Sequence, residues 1–114
     1  MNSYTTQTLV ANVQYSGTNA FVSNVVPAAN YYGGQGAIQT ILYDVADFQG
    51  RITVQATLND LQESAPWFDI STFGDIGNAI TQVTSNTVIG NFTWIRAEIT
   101  EFVAGNINVI TASY

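Results

Sequence analysis

The chain has 114 residues and a formal net charge of −6, with 46% hydrophobic but only 9% charged residues. Arg51 and Arg96 are its two cationic side chains, and it contains neither His nor Cys. Phosphate backbones are bound through several Lys or Arg, so the composition argues against a nucleic-acid partner. Metal sites of thiolates or imidazoles and Ser-His or Cys-His nucleophiles are excluded, since they require residues that the chain lacks.

Length and hydropathy predict one domain over residues 1–114, large enough to bury a single core. No apolar run approaches the roughly 20 residues that span a bilayer, and the first six residues lack the features of a signal peptide. We therefore expect no membrane partner. Thr- and Asn-rich surfaces with few long charged side chains lose little entropy in a contact, which favours a building or binding part over an enzyme.

Alternation of apolar and polar residues predicts strands along the first half of the chain. Residues 9–15 alternate, and strands are also expected near 20–26 and 37–45. Residues 51–58 alternate without error and place four apolar side chains on one face: Ile52, Val54, Ala56 and Leu58. This period of two is typical of a strand buried on one side.

The second half continues the pattern, with strands expected near 67–72, 78–89 and 92–103, and a last strand after Gly105. Residues 102–106 have the composition of a tight hairpin turn, with Gly105 supplying a positive φ. Ile95, Ala97 and Ile99 are expected in the core. Turn signals rich in Gly and Asn recur at short intervals, at residues 16–19, 32–36, 49–50, 74–75 and 90–91. They indicate an all-β protein, an antiparallel β-sandwich or jelly roll of about eight strands.

Trp94 and Arg96 share the polar face of the strand that buries Ile95 and Ala97. One interpretation is that Trp94 covers an edge while Arg96 pairs with Glu98 or a carboxylate on another strand. The other is that the aromatic and the arginine mark a subunit interface, where both residue types are enriched.

Trp67 and Asp69 form a second candidate site, because an indole can stack on a sugar ring while a carboxylate accepts hydrogen bonds from hydroxyls. Tyr31 and Tyr32, in a Gly-rich loop, could supply a further aromatic platform. The alternative is that Trp67 and Phe68 anchor a strand in the core, which we expect to be the case because large aromatics usually pack inside small sandwiches.

The acidic residues give no specific metal motif. The pairs Asp44 and Asp47, and Asp60 and Glu63, could each contribute oxygen ligands to Ca²⁺, but neither has the spacing of a calcium-binding loop. We expect no cofactor, no metal and no catalytic residues.

The strand at 37–46 is apolar on both faces, since Ile38, Leu42 and Ala46 oppose the face of Ile41 and Tyr43. A strand of this kind in an antiparallel sandwich needs a second cover, and a neighbouring subunit is the simplest one. The pattern predicts a homo-oligomer, with a trimer as the expected state.

Four segments carry a resemblance to a known family: residues 50–58, 66–70 and 90–97, and the spacing of Phe102, Gly105 and Ile107. Together they resemble small β-sandwich domains in virion structural proteins of tailed phages, particularly phages of cyanobacteria. The resemblance implies a virion location, other virion proteins as partners, and a role in capsid decoration or in a tail or fibre. It implies no catalytic residues.

A carbohydrate-binding jelly-roll module is the competing class, because one fold serves both roles. A fibre tip could combine them and bind a host glycan through its loops.

Overall fold

The computed structural model describes residues 6–28, 38–58, 66–90 and 92–114. These residues form seven strands in an antiparallel arrangement. The strands are β1 (Thr6–Gln14), β2 (Phe21–Val22), β3 (Val26–Pro27), β4 (Ile38–Thr57), β5 (Phe68–Phe73), β6 (Ile80–Ile89) and β7 (Trp94–Ser113). The described residues contain no helix long and apolar enough to cross a membrane.

Two strands of 20 residues, β4 and β7, pair along their length and bend together near their middle. The bend folds one continuous sheet into a β-sandwich of two layers. Layer A has the order β1, second half of β7, first half of β4, β6. In layer B, β2 and β3 lie beside the first half of β7, followed by the second half of β4 and then β5.

The bend replaces two turns that the sequence predicts. Gln49 and Gly50 lie inside β4, and residues 102–106 lie inside β7, so the predicted hairpin at Gly105 is wrong. The pairing of β4 with β7 shifts register between 46 and 51, where Asp47 has a φ of 52°. Gly105 has a φ of 90°, and any Cβ there would overlap the Asp47 carbonyl. A glycine is needed at this position because the two strands approach so closely.

The core lies between the layers and is made mainly of β4 and β7. The predicted core positions of 52–56 and 95–99 are all fully buried. Leu58 is 61% exposed, so its predicted place in the core is wrong. The physical reason is that β4 ends at Thr57, one residue earlier, and the alternation no longer controls where the side chain points.

Aromatic side chains fill the inside of the bend. Phe48 and Phe102 are buried, with ring centroids 5.3 Å apart, and Tyr15 meets Phe102 edge-on at 5.4 Å. Phe21 adds a third ring against Phe102 at 6.4 Å. Such tilted pairs are favoured by the aromatic quadrupole, and here they stabilise the bend of the sheet.

Tyr43 ties the two layers together away from the bend. Its ring stacks on Phe73 of layer B at 4.7 Å, and its Oη lies 2.6 Å from the Oγ of Ser71. The same Oγ accepts a hydrogen bond from Nδ2 of Asn86 in β6. Burial raises the pKa of the Tyr43 phenol to about 12, although the Ser71 hydrogen bond opposes the shift. The phenol is therefore uncharged at neutral pH, and it contacts layer B from a buried position.

Candidate functional site

Trp94, Arg96 and Glu98 lie on the outer face of layer B, as the alternation predicts. Each is half-buried, whereas Ile95 and Ala97 between them are fully buried. The outer face is the surface turned away from the core. It is built from the polar positions of β5, β4 and β7, whose apolar positions face the core between the layers.

The register of the three strands places Asp69, Gln55 and Arg96 in one row across the sheet. Gln55 of β4 is the Cα partner of Asp69 on one side and of Arg96 on the other. Its amide joins them: Nε2 donates to Asp69 Oδ1 at 3.1 Å, and Oε1 accepts from Arg96 Nε at 2.9 Å. The hydrogen bonds fix the orientation of all three planar groups.

Trp67 completes this group. The Cζ of Arg96 lies 4.3 Å from the centroid of the indole, a cation–π contact that holds the ring and the guanidinium against each other. We call Trp67, Arg96, Gln55 and Asp69 the Trp67 cluster. The sequence suggests two of these residues as one candidate site and Arg96 as part of another, and the structure joins them.

Two expectations about these residues are wrong. Trp67 is half-buried on the outer face and not a core anchor, and its neighbour Phe68 is 40% exposed. Phe68 pairs with the core position Ala56, and its partly exposed ring lies at the rim of the core side, where it meets Phe92 edge-on at 5.8 Å. Arg96 contacts Gln55 and Trp67 in place of Glu98 or a carboxylate on another strand, and Gln55 links it to the Asp69 carboxylate.

Trp94 lies on the same outer face, two residues before Arg96. It pairs with Thr57 of β4 on one side and Pro27 of β3 on the other. Trp67 immediately precedes Phe68, which pairs with Ala56, so the two indoles stand on either side of β4 near Thr57. Neighbouring strands are about 4.8 Å apart, so the backbone at Trp67 and the backbone at Trp94, on the two sides of β4, are about 10 Å apart. Tyr31 and Tyr32 lie outside the described residues.

The Trp67 cluster offers a partner both an apolar ring and polar groups of fixed direction. Of the described residues, only Gln55 accepts a hydrogen bond from Arg96, and it does so through Nε. The Nη atoms therefore remain available as donors, and the Asp69 carboxylate as an acceptor. Gln55 is the member that sequence reasoning missed. Its type and position on a polar face are ordinary, and only the strand register shows that it lies between Asp69 and Arg96.

Two clefts of the described surface lie elsewhere. One of about 270 Å³ is lined by residues of β1 and its following loop together with Phe21 and Phe102. Another of about 430 Å³ lies over the bend, beside Asp47 and Gly105. Neither contains a residue of the Trp67 cluster, which lies on the sheet face of layer B.

The described carboxylates form no metal centre, since no group of three or more acidic side chains comes together among these residues. Asp44 accepts a hydrogen bond from the side-chain amide of Asn108. Asp47 accepts one from the hydroxyl of Thr81. Asp75 caps its own turn, where the Gly77 amide lowers the pKa of its carboxyl. Asp60 and Glu63 lie outside the described residues.

Comparison with known proteins leaves the family open. No protein-family model matches the chain, and no curated protein matches it. Among solved structures, it is similar to a family 29 carbohydrate-binding module from Piromyces equi, with a TM-score of 0.50 and 14% sequence identity. The match covers 97% of this chain and 91% of that one. At this identity the similarity shows the fold alone, a β-sandwich.

Proposed function

We propose that the protein binds carbohydrate on the outer face of layer B, through the Trp67 cluster. The observation that carries the proposal is the indole of Trp67 fixed beside a hydrogen-bonded row of guanidinium, amide and carboxylate. The similarity of fold to a carbohydrate-binding module supports it. Fold alone does not establish function, so the proposal depends on the chemistry of the cluster.

A sugar ring has an apolar side made of C–H groups and a rim of hydroxyls that both donate and accept. Trp67 can pack against the apolar side with the part of its indole that stays exposed, since Arg96 covers one face of the ring. The Arg96 Nη atoms can donate to hydroxyl oxygens and Asp69 can accept from hydroxyls. Because these groups are held in place before binding, a sugar would order few side chains when it binds.

The open shape of the site favours a chain of sugars over a single small sugar. Small molecules usually bind in concave pockets that bury most of their surface, whereas the Trp67 cluster lies on a sheet face. Trp94, about two strand spacings from Trp67, extends the aromatic surface along this face. We infer that the ligand is an extended or surface-bound glycan.

A glycan array, followed by calorimetry on the best ligand, tests the proposal. Trp67→Ala should weaken binding at least about tenfold, the equivalent of about 1.4 kcal/mol, while lowering the Tm little because the ring is on the outer face. Arg96→Lys should also weaken binding, since an ammonium lacks the planar fork that contacts both Gln55 and the indole.

Phe68→Ala is the matched control. Phe68 is the next residue of the same segment, but its side chain lies at the rim of the core side against Phe92. This substitution should lower stability and leave the affinity unchanged. An array without any ligand, or a Trp67→Ala variant that binds as well as the parent, would contradict the proposal.

The virion location and virion partners implied by the family resemblance stay predictions. They are compatible with glycan binding, since a fibre component could attach to a host glycan. Mass spectrometry of purified particles, with the copy number per particle, would test the location independently of the binding experiments.

A further inference from the structure

Among the described strands, β6 forms an edge of layer A. It pairs with β4 in eight consecutive Cα pairs, from Ile38 with Ile89 to Val45 with Gln82, without a register shift. No described strand pairs with its other side. The strand contains no charged residue and no proline, and most of its side chains are exposed. An edge of this kind is a ready template for another strand, and proteins usually protect such edges.

The other edges are protected. β1 carries a register shift between Thr8 and Val10 and a residue with positive φ, Asn12, so its edge is irregular. β2 and β3 have two residues each. β5 has six residues, a register shift opposite Gln55, and the charge of Asp69. Bulges, short strands and charges are the usual devices against edge pairing. β6 has none of them from Gln82 to Ile89, and its register shift against β4 lies at its beginning, between Ile80 and Gln82.

Charge indicates a second copy of the chain as the occupant of this edge. The protein has a net charge of −6, so two copies repel each other over most of their surfaces. Contact through the uncharged β6 keeps that repulsion small. Antiparallel pairing of two identical strands is also two-fold symmetric, and this closed arrangement is the commonest among homo-oligomers.

The exposed apolar side chains of β6 select one register. Val83 is 65% exposed and Ile89 is 75% exposed, and both lie on the side of the sheet turned away from the core. When Asn86 lies at the two-fold axis, Val83 of each copy stands opposite Ile89 of the other. Shifting the register by two residues in either direction places each of them opposite a polar residue. A shift by one residue would place the outer face of one copy on the same side as the core face of the other. The burial of the core face of layer A excludes this register.

We propose that the protein forms a two-fold dimer by antiparallel pairing of β6 with β6 of a second copy, with Asn86 at the axis. Ser85 then lies opposite Thr87 of the other copy, between the two apolar pairs. Ile38, 58% exposed beside Ile89, extends the apolar contact onto β4. Such an edge buries less surface than the roughly 1,200 Å² of stable complexes, so association depends on concentration. The two-fold axis predicts a dimer in place of the trimer that the sequence suggested.

Sedimentation equilibrium over a wide concentration range tests the dimer. The parent should move from the 12.3 kDa monomer toward twice that mass as concentration rises. The double substitution Ser85→Lys with Thr87→Lys brings like charges face to face in the proposed register and should leave a monomer. Ser85→Lys with Thr87→Glu brings opposite charges together and should restore association.

The double substitution Thr6→Lys with Thr8→Lys is the matched control, because it adds the same two charges to the edge strand β1 of the same layer, at two exposed positions. It should associate as the parent does, and circular dichroism should show all variants folded. A monomer at every concentration, a trimer, or open-ended aggregates of the parent would overturn the proposal, as would a Ser85→Lys and Thr87→Glu variant that stays monomeric.

Cross-linking tests the register itself, since the natural chain has no Cys. Residues opposite each other in an antiparallel pair have Cα atoms within the range that disulfides span. A mixture of Val83→Cys and Ile89→Cys chains should form the mixed disulfide in clear excess over the proportion that random pairing of the two chains gives. The random proportion, or an excess of either disulfide of like chains, would contradict the register. The dimer uses layer A and the glycan site uses layer B, so either proposal can fail alone.

Discussion

Replacing Tyr43 by Phe should change how stability depends on pH, because Tyr43 is the buried phenol that joins the two layers. The substitution keeps the ring that stacks on Phe73 and removes the hydroxyl that meets Ser71 at 2.6 Å. Ser71 keeps a partner, since Asn86 still donates to its Oγ. The loss at neutral pH should therefore be that of one hydrogen bond, about 1 kcal/mol.

At alkaline pH the order of stability of the parent and Tyr43→Phe should reverse. The pKa of Tyr43 is about 12 in the folded chain, above the usual tyrosine value of about 10. Between these values the folded chain keeps a proton that the unfolded chain has released, so stability is full below pH 10 and falls as pH rises. The slope is about 1.4 kcal/mol per pH unit, and the loss reaches about 2 kcal/mol at pH 12. Tyr43→Phe lacks this contribution and should become the more stable chain near pH 11.

Urea unfolding followed by tryptophan fluorescence at pH 7, 10, 11 and 12 would measure both curves. The other ionisable groups are common to the two proteins, so their contributions cancel in the difference between them. Parallel curves, with Tyr43→Phe less stable by the same amount at every pH, would show that the Tyr43 phenol is not held neutral by burial and would refute the reasoning.

Two further predictions concern the core and the bend. Ile99→Ala should cost about 2–5 kcal/mol in urea unfolding, because Ile99 is fully buried. Leu58→Ala should change stability by less than about 0.5 kcal/mol, because Leu58 is 61% exposed. Equal losses would contradict the described end of β4. Gly105→Ala should lower the Tm sharply, since the added Cβ overlaps the Asp47 carbonyl and φ is positive, while Gly17→Ala, with a φ of 106° but open space around it, should lower it less. Similar losses for the two glycine variants would show that the close approach at the bend does not matter.

The sequence by itself determined the fold class and most of the core, because the period of two along a strand is a local property. Residues 52–56 and 95–99 alternate in sequence and are buried in the same alternation. The same rule placed Trp94 and Arg96 on one outer face. Local information also identified the turn at Gly17, where φ is positive.

Local signals failed where a glycine bends a strand without ending it. Gly50 and Gly105 have the composition of turns, yet both lie inside 20-residue strands. A hairpin and a bend need the same backbone freedom at a glycine. What distinguishes them here is that β4 and β7 continue to pair on both sides of the bend. Those pairs join residues from 37 positions apart (Thr57 with Trp94) to 73 positions apart (Thr40 with Ser113).

Only the tertiary structure decided which side chains meet at the candidate site and at the open edge. Arg96 and Gln55 are 41 residues apart, and their contact follows from the register of β4 with β7. Trp67 was expected in the core because it is large and apolar, but the guanidinium of Arg96 holds it on the outer face. The exposure of β6 follows from the order of strands. Strand order and register depend on the packing energy of distant residues, which no short segment of sequence contains.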